Sequence, residues 1–156
     1  MAKKLQFFVA GLGRFGISVA VTLEKMGYDV MAMEIDEEVV QDLSDTLGYV
    51  VCADCSDENN LVAIGAGNAD IAVVSVGDLS ASLMTTLLLK EMGVKKIVVK
   101  ALDPIHGKML QKIGADKIIY SEKEMGVRVA HNLISPGIVD YIEMENNITI
   151  LSIHVP

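Results

Sequence analysis

The stretch Val9-Ala10-Gly11-Leu12-Gly13-Arg14-Phe15-Gly16 follows an apolar run, Leu5 to Ala10, and precedes a helical pattern. Gly11 allows the chain to turn sharply off a strand. Gly13 lets backbone approach a diphosphate with no Cβ in the way, and Gly16 lets the following helix lie close on a sheet. The helix then offers its unpaired N–H groups to the phosphates. Glu34 stands at the end of the next apolar run, where an acid accepts hydrogen bonds from ribose hydroxyls. Strand, glycines, helix and acid in this order form a dinucleotide-binding fingerprint in its proper context.

Outward from this turn, apolar runs and helical patterns alternate as far as Leu133. That alternation predicts parallel strands joined by crossover helices. Strands are expected near 5–10, 28–34, 48–53, 70–76, 96–101 and 117–120, and helices over 14–26, 37–47, 57–65, 80–92, 104–113 and 123–134. Near-continuous apolar runs such as Ile71 to Val76 suit a sheet covered on both faces. Asp36 is placed to cap the second helix, and Ser56 or Asp54 the third; Gly27, Gly48, Gly93 and Gly114 are read as helix stops. Leu83, Met84, Leu87, Leu88 and Met92 fall at helical spacing and read as the core face of the fourth helix. The fold class is therefore α/β: a Rossmann-like doubly wound parallel sheet, expected in the order 3-2-1-4-5-6, with a short carboxy-terminal crossover extension. Residues 1–134 form the nucleotide-binding lobe in this reading. Residues 135–156 form a crossover segment and the start of a further lobe or an oligomer contact, because Ser135-Pro136-Gly137 breaks the helix. A short amphipathic piece over Ile138 to Met144 then leads through Asn146-Asn147 to an alternating strand pattern, Ile148 to Val155.

Bulk properties limit the function classes. A chain of 156 residues, 51% apolar, suits one domain with a sizeable core. Its formal net charge of −8 argues against nucleic acid and against an anionic membrane surface. No apolar run has the length of a spanning helix, and Met-Ala-Lys-Lys leads into a strand rather than a signal sequence, so a cytoplasmic location is expected. Cys52 and Cys55 form a C-x-x-C, but His106, His131 and His154 are scattered singly, so small reduced residues near the site are expected rather than a metal or redox centre.

Ligands of such a sheet sit outside the carboxyl ends of its strands. Arg14 points to where phosphates lie, or is a surface arginine. Glu34 repels a 2′-phosphate and so disfavours NADP. Asp54, with Cys55 beside it, is expected to pass the adenine. Val76, Gly77 and Asp78 end the fourth strand, where Gly77 permits close approach and Asp78 is also a candidate cap. Lys100 ends an apolar run and requires a partner, either phosphate or an acid such as Glu122. His106 either faces the ligand or is an exposed surface histidine. Glu122 can meet a ribose, a lysine, or a divalent cation bridging phosphates. The sequence offers no Tyr-x-x-x-Lys pair, no strand-end nucleophile with a base nearby and no second domain to close over a substrate. Binding without chemistry is the simpler inference.

Several segments in order resemble one family. The run Phe8 to Gly16, Ala53-Asp54-Cys55-Ser56-Asp57-Glu58-Asn59-Asn60-Leu61, Ser82 to Lys90, Val99-Lys100-Ala101, Lys112-Ile113-Gly114-Ala115-Asp116 and Ser121 to Gly126 are similar to the amino-terminal RCK (TrkA-N) domain of the Trk/Ktr potassium-transport regulators. The resemblance runs from about Gln6 to Ile142. It implies a non-enzymatic cytoplasmic gating subunit, peripheral at the inner face of the plasma membrane. Such a subunit binds ATP, ADP or NAD(H), forms homodimers and an octameric ring, and controls a membrane potassium-translocating subunit. Other readings of the same residues are a small NAD-dependent oxidoreductase subunit and the nucleotide-binding domain of a potassium efflux antiporter.

By position, the resemblance places Gly11, Leu12, Gly13, Arg14, Phe15 and Gly16 on the phosphates and Glu34, Ile35 and Asp36 on the ribose. Asp54 and Cys55 fall on the adenine side, Val76 to Asp78 at the end of strand 4, and Lys100, Ala101, Leu102 and His106 on the strand-5 side. Glu122 takes the place of the acid after strand 6, with a nucleotide-bridged divalent cation as its candidate metal. Glu34 stands where the family often has Asp, and Ser121 where Pro is common. Valine at Gly13 or Gly16 is expected to abolish binding while largely preserving the fold. Val127, Ala130, Leu133 and Ile134 are expected to leave an apolar face for assembly.

Overall fold

The computed structural model describes residues 4–135, 138–143 and 149–153. Six parallel strands alternate with helices: β1 (Gln6–Ala10), α1 (Arg14–Lys25), β2 (Asp29–Glu34), α2 (Glu37–Leu43), β3 (Val50–Cys52), α3 (Glu58–Ile64), β4 (Ile71–Val74), α4 (Leu79–Glu91), β5 (Lys96–Lys100), α5 (Pro104–Ile113) and β6 (Lys117–Ile119). The sheet order is β3-β2-β1-β4-β5-β6, the doubly wound order expected from the sequence. Strand order reverses between β1 and β4, so right-handed crossovers send the helices of the two halves to opposite faces. The central strands are accordingly the most deeply buried. Phe8, Val9, Ala10, Ala72 and Val74 are fully enclosed, while Phe7 and Tyr28 meet edge to face with ring centres 5.4 Å apart.

One device fixes the amino-terminal ends of the strands twice. The Gln6 N–H donates to Asp70 Oδ2 at 2.8 Å, and the Asp70 N–H returns to the Gln6 carbonyl at 2.9 Å. At the other side of the sheet the Ile97 N–H donates to Asp116 Oδ2 at 2.7 Å, with the Asp116 N–H returning to the Ile97 carbonyl at 2.9 Å. Each acid precedes a strand and satisfies a donor in the first two residues of its neighbour, which fixes the parallel pair at that end.

Four helices begin on an aspartate. Asp36, Asp57, Asp78 and Asp103 accept from the N–H groups of Glu38, Asn59, Ala81 and His106 at 2.8–3.0 Å. The cap of α3 is thus Asp57, neither Ser56 nor Asp54. Gly27, Gly93 and Gly114 follow α1, α4 and α5 as expected, but Gly48 stops no helix. Ser44 closes α2, its hydroxyl donating to the Gln41 carbonyl at 2.8 Å, and the Gly48 N–H donates to the Glu24 carboxylate. Gly65 ends α3 in the left-handed conformation.

Helix α4 presents a face different from the one its leucines suggest. Ser82, Thr85, Thr86, Leu88 and Leu89 are buried, whereas Met84 and Leu87 are exposed. Small hydroxyl side chains allow the helix to lie close to its neighbours. Thr86 Oγ1 meets its own need by donating to the Ser82 carbonyl at 2.8 Å.

The chain divides into two compact units after Ile119. The second holds α6 (Ser121–Ile134) and an antiparallel pair, β7 (Ile138–Glu143) and β8 (Thr149–Ile153). The piece after Pro136 is therefore a strand along Ile138–Glu143. Met144, Asn146, Asn147, Ile148 and Val155 lie outside the described residues. On α6, Met125, Val129 and Leu133 recur every four residues and are exposed, as is Ile134.

Candidate functional site

The ends of β1, β2 and β4 converge at the glycine turn. The Gly11 N–H donates to the Met33 carbonyl of β2 at 2.9 Å, and Ser75 Oγ, just past β4, donates to the Gly11 carbonyl at 2.8 Å. Glu34 closes the arrangement from the end of β2. Its Oε1 accepts the Leu12 N–H and its Oε2 the Asp36 N–H, both at 2.8 Å. A single carboxylate thereby joins the glycine turn to the start of the next loop. Gly11 has φ +91, and a Cβ there would stand 2.8 Å from the Ser75 carbonyl oxygen, so glycine is required twice over.

The glycines of the turn do different things. A Cβ on Gly16 would collide with the Gly11 carbonyl and lie 2.6 Å from Ser75 Oγ, whereas one on Gly13 would meet no atom within 4 Å. Gly16 is therefore closed by the protein itself, and Gly13 faces open space. The expectation that valine at Gly16 preserves the fold is overturned by that collision. Gly13 is also the cap residue of α1 and supplies no side chain to its free N–H groups, in contrast to the aspartate-capped helices. An uncapped helix start beside an open glycine is the geometry that receives an anion.

A cavity of about 710 Å³ opens there, within the range of small-molecule sites. Of the expected residues, Gly11, Gly13, Glu34, Ile35, Asp54, Cys55, Val76, Gly77, Asp78 and Lys100 line it. Asp54 accepts the Ser56 hydroxyl at 2.6 Å and the Ser56 N–H at 2.9 Å, and these bonds hold its carboxyl below the usual range. It remains an ionised acceptor at neutral pH. Burial pushes the Cys55 thiol up to about 11, so it is a neutral packing group rather than a nucleophile. Cys52 is exposed, and both cysteines are free. Lys100 is the one cation on the lining among the described residues, and no carboxylate of its own unit lies within ion-pair distance.

Other expected residues sit elsewhere. Leu12 is buried and contributes its N–H to Glu34; Phe15 packs against the core, Gly16 lies beneath the turn, and Asp36 caps α2. Arg14 is exposed at the first position of α1 and is absent from the lining. Ala101 is buried, and Leu102 is exposed. His106 is a correction: it neither lines the cavity nor stands on the surface, being 1% exposed with both ring nitrogens engaged. Glu122 lies in the first turn of α6, in the second unit, where Ser121 Oγ donates to it at 3.1 Å. Among the described residues no three His, Cys, Asp or Glu side chains gather as a metal centre.

The structure adds Ser56, Ser75, Ser80, Ala81, Met84 and Thr85 to the lining. Four of these come from the first half of α4, where small residues read as ordinary helix. Thr85 Oγ1 is buried on this wall with no hydrogen-bond partner, a signal that only the structure supplies. A second cavity, about 470 Å³, lies at the opposite ends of the strands beside Glu24 and Asp29, whose charges do not suit a phosphate. No helix among the described residues is long and apolar enough to cross a membrane.

Comparison with known proteins agrees with this geometry. The chain is 42% identical over 151 residues to Ktr system potassium uptake protein C of Bacillus subtilis and 41% identical over 152 residues to Ktr system potassium uptake protein A of the same organism. These alignments cover 96% and 97% of this chain and 68% of each relative. Among solved structures, GsuK bound to ADP matches with a TM-score of 0.70 at 24% identity, over 85% of this chain and 34% of that one. The GsuK channel bound to NAD matches with a TM-score of 0.73 at 23% identity, over 90% of this chain and 26% of that one. At such identities the likeness is one of fold. The TrkA-N domain profile matches residues 7–121, and the chain belongs to the TrkA-N family.

Proposed function

We propose that this protein is a regulatory nucleotide-binding component of a potassium uptake system, and that adenine nucleotides in the cavity of the glycine turn set the activity of a membrane potassium-translocating partner. The observation that carries the binding half is the uncapped start of α1 beside the open space at Gly13, with Glu34 and Asp54 as acceptors on one side and Lys100 on the other. The potassium half rests on the similarity to the two Ktr proteins. The diphosphate lies over Gly13 and the first turn of α1, the adenosine ribose against Glu34, and the adenine beside Asp54 and Cys55. ATP, ADP and NAD(H) share these three parts. Arg14 contributes to the phosphates. The exposed stripe of α6 is the surface for a homodimer, from which a ring of copies is assembled. No bond is made or broken in this scheme. A nucleotide shifts the population between two shapes of the assembly only as far as its affinities for the two differ.

The test is potassium flux into vesicles containing the translocating partner and this protein, with nucleotide varied. Flux is expected to change with the added nucleotide, and Gly13→Val is expected to remove that response. Flux indifferent to ATP, ADP and NADH would contradict the proposal.

A further inference from the structure

His106 occupies the junction between two walls of the cavity without itself lining it. The Leu102 N–H donates to Nδ1 at 2.9 Å, so Nδ1 carries no proton. The proton of the neutral ring then sits on Nε2, 3.1 Å from the buried Ser82 Oγ. Leu102 lies two residues beyond Lys100, and Ser82 lies between Ala81 and Met84; Lys100, Ala81 and Met84 all line the cavity. One imidazole therefore ties the end of β5 to the first half of α4.

We infer that His106 is a positioning residue for the nucleotide cavity and makes nucleotide affinity depend on pH, because only the neutral ring can accept the Leu102 N–H. A second proton on Nδ1 would set two donors against each other at 2.9 Å. The turn bearing Lys100 and Leu102 would then have to part from the ring that joins it to α4. The groups around the ring decide where this happens. Burial lowers the His106 pKa below its ordinary value of 6.5, and the Asp103 carboxylate opposes that shift in part. Helix α4 meets the ring through the uncharged hydroxyl of Ser82, and the one charge acting on it is the Asp103 carboxylate. The affinity is thus complete at neutral pH and weakens as pH falls below the ordinary imidazole range.

This inference rests on the nucleotide reading of the cavity, and its test separates the two. NAD is the probe, because its diester phosphates keep their charge across the range. Calorimetric titration of the intact chain between pH 7.5 and pH 5 is expected to show the dissociation constant rising about three- to tenfold, the cost of one buried hydrogen bond. In His106→Asn the side-chain amide offers an acceptor near the place of Nδ1 and cannot be protonated, so its dissociation constant is expected to stay level over the same range. A level wild-type profile, or an equal rise in both proteins, would overturn the inference. Nitrogen NMR of the wild type gives an independent reading if the variant does not fold. The Nε2–H tautomer at pH 7.5, and a Leu102 amide shift that follows the titration of His106, are expected. An Nδ1–H tautomer, or a Leu102 amide indifferent to that titration, would overturn it. Absence of NAD binding at pH 7.5 would instead count against the nucleotide reading, and the NMR arm would still decide the linkage through His106.

Discussion

A methyl group on Gly16 would be driven into the Gly11 carbonyl and Ser75 Oγ, both held by a hydrogen bond to each other. Relief requires α1 to move off the sheet. Gly16→Ala is therefore expected to destabilise the fold by about 1–3 kcal/mol, the usual cost of overpacking, read as a lower urea midpoint. Gly13→Ala is expected to leave that midpoint nearly unchanged, since a Cβ there meets nothing. Equal losses would mean that the turn is not built as described. The steric rule for the turn was legible from three glycines in sequence, because the demand for a missing Cβ is local. The difference between them was not legible, since it depends on Ser75, more than fifty residues away in the chain. His106 was misread for the same kind of reason. Whether a histidine in a first helical turn is buried depends on what its neighbour helix offers, here Ser82 on α4.

At the scale of elements, strand starts and helix starts both depend on aspartate. Asp70 satisfies the Gln6 N–H at the beginning of the central strand, and that donor is otherwise left without its partner. Asp70→Ala is expected to cost about 1–2 kcal/mol of stability, as for a hydrogen bond to a half-buried charged group, and to speed exchange of the Gln6 amide. An unchanged exchange rate would remove the clamp from the account. The order of strands and helices was readable because apolar runs and helical periods alternate without interruption. The inward face of α4 was not. Leucine spacing pointed to Met84 and Leu87, yet close approach selected Ser82, Thr85 and Thr86. Size, rather than hydrophobicity, decides which face of a helix can lie close to its neighbours.

For the whole molecule, the glycine turn, the carboxylate bridge from Glu34, the loop at Asp54 and the Lys100 end of β5 are brought together only by the reversal of strand order between β1 and β4. That reversal places residues from four separate parts of the chain around one opening. The lining therefore combines the carboxylates of Glu34 and Asp54 with Lys100, its one cation among the described residues, and an uncapped helix start, while the Cys55 thiol, pushed up to about 11, stays neutral. Titration of ADP into the purified protein, followed by heat and repeated on Gly13→Val, shows whether the glycine turn holds a nucleotide. Saturable binding of one ADP per chain to the wild type is expected. At least a tenfold weaker interaction is expected for the variant, whose branched side chain fills the space over α1 while the urea midpoint holds. No binding to the wild type, or equal binding to the two proteins, would contradict a nucleotide site at the glycine turn.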